Sequence, residues 1–322
     1  MPGFSNILSS GKFYKYILFR SCLGLINFQR KREVKMFTKT LNLNPNPMGV
    51  LSKDSINRWI IPQLSIGKRG GKLKVEYWEV VAAILHKLKT GCQWRELPTQ
   101  AYFQGYGLSW QGVYYHFRKW TKDGSIRKVW VELLRQQRKL LDLSTVQLDG
   151  SQTICKNGGE SIGYQSRKAA NSCNSLFLAD NKGLMLACSC PVAGQHHDLF
   201  EIQQVFEELC ALLKEAGIET DGLFLNADAG FDSQLFRQQC TELKIEANIA
   251  VNPRNGQVTD ENVYFDEVLY KKRAVIEQAN AWLDSFKTLL IRFETKAQHW
   301  IAFHFLAFSV QLIRKINKKL KP

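Results

Sequence analysis

The sequence contains eight cysteines in 322 residues, yet it has no Cys-x-x-Cys pair. None of its six histidines stands beside the cysteines at the spacing that zinc sites use. These absences argue against a structural zinc site. We expect the thiols to be buried and reduced, as is usual in a cytosolic protein.

Long apolar runs are also missing. No run reaches the roughly 18 residues that a membrane-spanning helix needs. Residues 16–28 are apolar, but Arg20 interrupts them and no small-residue cleavage site follows, which argues against a signal peptide. The stretch Trp300 to Ile313 is short and ends in a basic tail, so it predicts a core helix. We therefore expect a cytoplasmic protein without a membrane partner.

Acidic residues are scarce in the first part of the chain. Residues 48–140 carry 17 Lys and Arg against six Asp and Glu, whereas residues 141–322 carry 19 against 22, and the whole chain has a net charge of +15. This asymmetry indicates a polyanionic partner, above all nucleic acid. The alternative is a basic surface that only keeps the protein soluble.

The composition predicts three segments. Residues 1–47 have no clear periodicity and finish in an Asn-Pro linker, so we expect a poorly ordered extension. Residues 48–140 predict a small basic helical domain that is similar to helix-turn-helix architectures. Its helices are expected at residues 53–64, 76–89, 109–120 and 125–139, with Gly91 closing the second and Ser109 capping the third.

Residues 141–322 predict an α/β domain with a mixed five-stranded sheet and flanking helices. The strands are expected at residues 145–149, 175–180, 184–191, 222–228 and 246–251. The helices are expected at residues 198–215, 232–243, 270–286 and 296–319, with Asp232 as an N-cap.

Two aspartates end predicted strands beside glycine. Asp149 and Asp228 are poorly placed for packing there and well placed for chemistry, and Glu277 lies in a predicted helix. If the two strands are parallel neighbours, the aspartates lie close together and need a cation to neutralise them. Such oxygen ligands suit Mg²⁺ or Mn²⁺, and two ions roughly 3.5–4 Å apart can support phosphodiester chemistry. The alternatives are turn caps for the aspartates and a surface pair with Arg273 for Glu277.

The helix that carries Glu277 also places Tyr270 and Arg273 on the same face, at positions i, i+3 and i+7. Arg273 can hold Glu277 or pair with a DNA phosphate.

With these motifs the chain resembles bacterial insertion-sequence transposases with a ribonuclease-H-like DDE core, in the group marked by a Tyr-x2-Arg-x3-Glu motif. The match covers about residues 50–315. The matching segments are Leu148-Asp149-Gly150-Ser151, Asn226-Ala-Asp228-Ala-Gly230, Tyr270-x2-Arg273-x3-Glu277, Gln195-His196-His197-Asp198 and Trp94-Arg-Glu-Leu97-Pro98. One departure concerns the residue seven positions after the glutamate, which is basic in many relatives and is Asp284 here.

The resemblance implies a ribonuclease-H-like fold and a transposase that cleaves and joins DNA. Asp149, Asp228 and Glu277 are then the catalytic residues and the ligands of two Mg²⁺ or Mn²⁺ ions, supported by Tyr270 and Arg273. The partners are double-stranded DNA, as terminal inverted repeats and as target, and a second subunit in a synapsed homodimer. The protein would be associated with the nucleoid.

Other residues are weaker candidates. His197 is either a support close to the metal ions or plain polar surface. Arg118 and Lys119, on the helix after Ser109, are candidate DNA contacts. Arg167 and Lys168, in a basic loop, are candidates of the same kind.

Two other functions use the same residues. A ribonuclease-H-like nuclease or resolvase shares the carboxylates but rarely carries a basic helical segment of this size. A decayed or domesticated transposase would bind DNA without cutting it, although the three intact acidic residues argue against decay.

Overall fold

The computed structural model describes residues 49–67, 73–103, 107–252 and 265–319. The extension predicted for residues 1–47 lies outside the described residues. The described residues form one compact unit. The division into residues 48–140 and 141–322 stays a prediction. Within the described residues, no helix combines the length and the apolar character needed to cross a membrane.

One mixed sheet forms the centre of the fold. Its strands are β1 (Val146–Ile154), β2 (Gly163–Gln165), β3 (Ala170–Asp180), β4 (Met185–Cys188), β5 (Val192–Ala193), β6 (Phe224–Ala227) and β7 (Glu246–Ile249). The order is β2-β3-β1-β6-β7, and β4 and β5 also pair with β3. β1 is antiparallel to β3 and parallel to β6, which is parallel to β7. This arrangement with flanking helices is the ribonuclease-H-like fold that the resemblance implies.

The five predicted strands are all present, but the predicted number of strands was too low. The sheet also contains β2 and β5, which are too short to show an apolar alternation in the sequence. β1 is longer than predicted as well. It continues past Asp149 to Ile154, because backbone hydrogen bonds to β3 extend over its full length.

The helices are α1 (Lys53–Trp59), α2 (Tyr77–Thr90), α3 (Thr99–Tyr102), α4 (Trp110–Lys122), α5 (Ser125–Gln136), α6 (Ile202–Glu215), α7 (Gln234–Glu242), α8 (Glu267–Lys271), α9 (Ala274–Leu283), α10 (Lys287–Leu290) and α11 (Ala297–Lys319). Two predicted caps are confirmed. Gly91 ends α2 with a φ of 69°, a conformation that glycine adopts without strain. The hydroxyl of Ser109 accepts a hydrogen bond from the amide of Gly112 at the start of α4.

The single helix predicted for residues 270–286 is wrong, since two helices, α8 and α9, occupy this part of the chain. At the junction the amide of Arg273 bonds to the carbonyl of Tyr270, and the amide of Ile276 bonds to the carbonyl of Arg273. These three-residue steps replace the four-residue steps of an α-helix and interrupt its axis. The N-cap prediction for Asp232 is also wrong, because Ser233 caps α7 and the Asp232 carboxylate binds Arg237.

The helical segment and the sheet share one core through α11. The rings of Phe117 on α4 and Phe303 on α11 stack with centroids 4.5 Å apart, and Trp130 on α5 contacts Phe308 at 5.5 Å. The indole N–H of Trp130 also donates to the carbonyl of Leu186 on β4, at 2.8 Å. Phe117 and Trp130 are therefore core residues.

Candidate active site

Asp149 and Asp228 lie on neighbouring parallel strands. β1 and β6 pair at Val146 with Leu225 and at Gln147 with Asn226, and the same register two residues further on aligns the two aspartates. Asp228 follows the last residue of β6, and one of its oxygens accepts a hydrogen bond from the amide of Gly230 at 2.8 Å. The parallel pairing therefore brings both side chains together, although Asp149 lies within β1 and does not end it.

Charge is crowded around Asp149. Burial raises the pKa of Asp149 to about 6, the Arg273 guanidinium opposes this shift, and the charges of Asp228 and Asp198 add to it. The side-chain amide of Asn280 on α9 donates to Asp149 at 3.2 Å. A carboxylate that is hard to ionise in this position is one that a bound cation would stabilise.

Asp198 is a third carboxylate, and the sequence analysis did not assign it a role. Its Oδ1 accepts a hydrogen bond from Nδ2 of Asn174 on β3 at 2.6 Å. A Cβ atom at position 150 would overlap the Asp198 carboxylate, so a larger residue there would displace the Asp198 side chain. The position of Gly150 directly after Asp149 was the available signal for this close approach.

Arg273 contacts the other two residues of the Tyr-x2-Arg-x3-Glu motif, although the helix is interrupted between α8 and α9. Its guanidinium carbon lies 5.9 Å from the centroid of the Tyr270 ring. One of its nitrogens lies 3.5 Å from Oε1 of Glu277, whose side chain is 65% exposed. The positive charge of Arg273 therefore acts on both Glu277 and Asp149.

Glu277 pairs with Arg273 in this structure, which is the arrangement of the alternative interpretation. Asn280, one turn further along α9, is the residue of that helix that contacts Asp149. Among the described residues, no three His, Cys, Asp or Glu side chains form a group that could hold a metal ion. Glu277 as a metal ligand stays a prediction.

A buried pair of asparagines positions the helix that carries Tyr270, and the sequence analysis missed both. Asn248 on β7 donates to Asn226 on β6 at 2.8 Å and exchanges hydrogen bonds with the backbone of Asp266, the N-cap of α8. Asn226 donates in turn to the carbonyl of Leu269 at 2.8 Å. The strands that align the aspartates thus also fix the start of the arginine-bearing segment.

Three further candidates are His197, Arg167 and Lys168. His197 is exposed, and its Nδ1 accepts a hydrogen bond from the amide of Leu199. Arg167 and Lys168 form a short turn between β2 and β3, and Lys168 donates to the carbonyl of Gln152 on β1 at 2.6 Å. Arg167 and Lys168 are exposed, so they can meet a ligand that reaches the end of β1.

Arg118 and Lys119 lie on α4, away from these strands in the chain. Arg118 is exposed, with its guanidinium carbon 5.7 Å from the Tyr114 ring. Lys119 is half-buried and donates to the carbonyl of Ser65 at 3.1 Å. Both side chains are therefore held by contacts within the helical segment.

Three comparisons place the chain among known proteins. No curated protein matches it. Solved structures with similarity include a piggyBac transposase synaptic complex with hairpin DNA, at 11% identity over 84% of this chain and 73% of that one, with a TM-score of 0.45. The catalytic domain of the Mos1 mariner transposase is 12% identical over 62% of this chain and 93% of that one, with a TM-score of 0.26. A Mos1 mariner paired-end complex with Mn is 14% identical over 96% and 98%, with a TM-score of 0.27.

Two family models match the sequence itself. A family of IS4/5 transposases matches residues 56–130, and the DDE superfamily endonuclease family matches residues 142–312, which is more than half of the chain. The second match contains Asp149, Asp228 and Glu277, and its family implies dependence on a divalent metal ion. The chain therefore belongs to the DDE superfamily of endonucleases, and it is an insertion-sequence transposase.

Proposed function

We propose that this transposase binds the terminal inverted repeats of its element, hydrolyses phosphodiester bonds there, and joins the freed 3′-hydroxyls to target DNA. Asp149, Asp228 and Glu277 would be its catalytic residues. The alignment of Asp149 with Asp228 on adjacent parallel strands carries this proposal. Two carboxylates on neighbouring strands, one of them with a raised pKa, are unfavourable unless a cation is bound between them.

The donor chemistry suits Mg²⁺ or Mn²⁺. Asp149 and Asp228 offer hard oxygen ligands. The side chain of Asn280 donates a hydrogen bond to Asp149, and the charge of Asp198 acts on the same carboxylate. Two such ions, when bound, supply a Lewis acid for the attacking and the leaving oxygen of an in-line displacement. The protein holds the carboxylates in place through the β1–β6 pairing and through the Asn280 amide.

Glu277 would join the two aspartates by leaving Arg273. Its side chain is largely exposed and its ion pair with Arg273 is long at 3.5 Å, so little free energy opposes this change. Once released, the Arg273 guanidinium is free to bind a DNA phosphate through paired N–H donors. Tyr270 would keep the guanidinium over its ring during this exchange.

The proposed partners are double-stranded DNA and a second copy of the chain. The surplus of positive charge in residues 48–140 supports binding to the DNA backbone. Transposition must bring two ends together, so a homodimer in the synapsed state fits the reaction. The action on DNA also supports a cytoplasmic, nucleoid-associated location.

Three substitutions test the catalytic proposal: Asp149→Asn, Asp228→Asn and Glu277→Gln. Each keeps the side-chain shape and removes the charge that would hold a cation. We expect each to lower Mg²⁺- or Mn²⁺-dependent cleavage of terminal DNA by at least about 100-fold while DNA binding is retained. The measurements are gel-based cleavage and fluorescence anisotropy on the same protein preparations.

Asp284→Asn is the matched control, since Asp284 is an exposed carboxylate at the end of the helix that carries Glu277. It should cleave normally. Near-normal cleavage by Asp228→Asn would contradict the assignment of the aspartates. Near-normal cleavage by Glu277→Gln would leave Glu277 as the surface partner of Arg273. Binding without cleavage by the unaltered protein would favour a decayed transposase.

A further inference from the structure

A basic cleft lies between α4 and the start of α11. Its volume is about 540 Å³. Its walls carry four cationic side chains together with a tyrosine and a histidine: Arg118, Lys119, Lys122, Lys296, Tyr115 and His299. In the described part of the chain, no acidic side chain lines the cleft.

The exposed face of α4 opens onto this cleft. Tyr115, Arg118 and Lys122 are exposed and stand at i, i+3 and i+7, so they form one stripe along the helix. Tyr115 is 62% exposed, which is unusual for a large aromatic side chain. The opposite face carries buried residues such as Val113 and Phe117, which fix the orientation of the stripe.

The neighbouring carboxylates offset only part of the positive charge of the cleft. Asp123, directly after α4, accepts hydrogen bonds from the amide and the hydroxyl of Ser125. Glu294, two residues before Lys296, lies 3.9 Å from Lys87 and 3.6 Å from His299. The negative charges of Asp123 and Glu294 therefore act on Lys119 and His299 of the cleft. The ion pairs of the described residues involve none of Arg118, Lys122 and Lys296, so the positive charge of these three exposed side chains is left to an outside anion.

We propose that this cleft binds the phosphate backbone of duplex DNA, and that Lys296 of the catalytic segment shares the contact with Arg118 and Lys122 of the helical segment. The proposal rests on the proposed function for the identity of the polyanion. A groove of clustered Lys and Arg without acidic residues matches a run of phosphates. Tyr115 adds a hydroxyl and a flat ring beside the backbone, as phosphate-contacting tyrosines do.

Side chains of both the helical segment and the catalytic segment line the cleft. Because α4 and α11 are joined by the stacked rings of Phe117 and Phe303, the cations on the two helices keep a fixed separation. DNA held in the cleft therefore contacts the helical segment and the catalytic segment at the same time. Residues 48–140 alone would supply only part of the site.

Salt-dependent binding tests the cleft in the full-length protein. The probe is a fluorescein-labelled duplex of mixed sequence, titrated by anisotropy between roughly 50 and 200 mM salt. Each phosphate contact that is lost should reduce the slope of log affinity against log salt by about 0.9. We expect this reduction for Lys296→Gln, Lys122→Gln and Arg118→Gln, with binding roughly fivefold to tenfold weaker near 0.1 M salt.

Lys318→Gln is the matched control, because Lys318 is exposed near the end of α11, whereas Lys296 directly precedes this helix, about 33 Å away at 1.5 Å per residue. Its slope should equal that of the unaltered protein. An unchanged slope for Lys296→Gln would overturn the shared contact, and an equal reduction for Lys318→Gln would show only general surface charge. A protein that binds with the expected slope but cleaves nothing would contradict the proposed function and leave the cleft intact.

Discussion

Removal of the negative charge at Asp149 should stabilise the metal-free protein. The pKa of Asp149 is raised from 3.8 to about 6, first by burial and then by Asp228 and Asp198, with Arg273 acting in the opposite direction. The folded state therefore holds the proton more tightly than the unfolded state. Stability from this group is present below about pH 4 and is lost as the pH rises through 6.

The size of the effect follows from the shift. A difference of about two pH units corresponds to about 3 kcal/mol of unfolding free energy at neutral pH. Asp149 is only half-buried by its surface, so solvent screening lowers our expectation to about 1–2 kcal/mol. Asn keeps an oxygen to accept the hydrogen bond from Asn280. Asp149→Asn should therefore raise the Tm by about 2–4 °C at pH 7.5 in chelator.

Calorimetry of both proteins in chelator and in millimolar Mg²⁺ measures this effect. The difference in Tm should shrink as the pH falls from 6 to 4 and close below 3.8, where the carboxyl group is protonated in both states. Mg²⁺ should raise the Tm of the unaltered protein more than that of Asp149→Asn, because ligand binding stabilises only a fold that holds it. A lower Tm for Asp149→Asn at pH 7.5 in chelator, with an undiminished response to Mg²⁺, would refute the reasoning.

Two further substitutions test the surroundings of the site. Gly150→Ala should displace the Asp198 carboxylate, lower stability by about 1–3 kcal/mol in urea unfolding and reduce cleavage. Gly158→Ala, with open space around it, should change neither stability nor cleavage. Equal behaviour of the two variants would contradict the close approach of Asp198 to Gly150. Asn248→Ala should lower stability by about 2–3 kcal/mol and speed amide exchange at the start of α8, because it leaves Asn226 and the Asp266 backbone without their buried partner. The exposed Asn157→Ala should cost about 1 kcal/mol or less, and a loss of the same size for both would show that the buried pair has no special role.

Local signals predicted much of the fold. Gly91 and Ser109 predict helix ends because each stabilises a helix end within four residues of itself. Gly91 adopts the left-handed backbone conformation that ends α2, and the Ser109 hydroxyl accepts a backbone hydrogen bond at the start of α4. Asp149 and Asp228 were found because each follows an apolar strand run. The alignment of the two aspartates needed one further condition, the parallel pairing of their strands, which the sheet fulfils.

The features that escaped prediction depend on distant partners. β1 continues beyond Asp149 through residues of mixed polarity, because β3 supplies backbone hydrogen bonds there. Asp198 reaches Gly150 only after the chain has passed through β3. No proline or glycine lies at the break between α8 and α9, and the residues around it are good helix formers. Contacts of α8 with Asn226 and Asn248 decide its position instead.

The common core of the helical segment and the sheet limits how the DNA preference of this protein can be changed. A transplant of residues 48–140 into a relative would separate Phe117 from Phe303 and Trp130 from its partners on α11 and β4. Such a chimera would lose well-packed aromatic contacts that contribute several kcal/mol to the free energy of unfolding, so its fold would be weakened whether or not DNA is bound. Variation of the solvent-facing side chains of α4, around Tyr115, leaves the core untouched. Changes in DNA affinity are therefore accessible to evolution, and to engineering, through single surface positions and not through exchange of the whole segment.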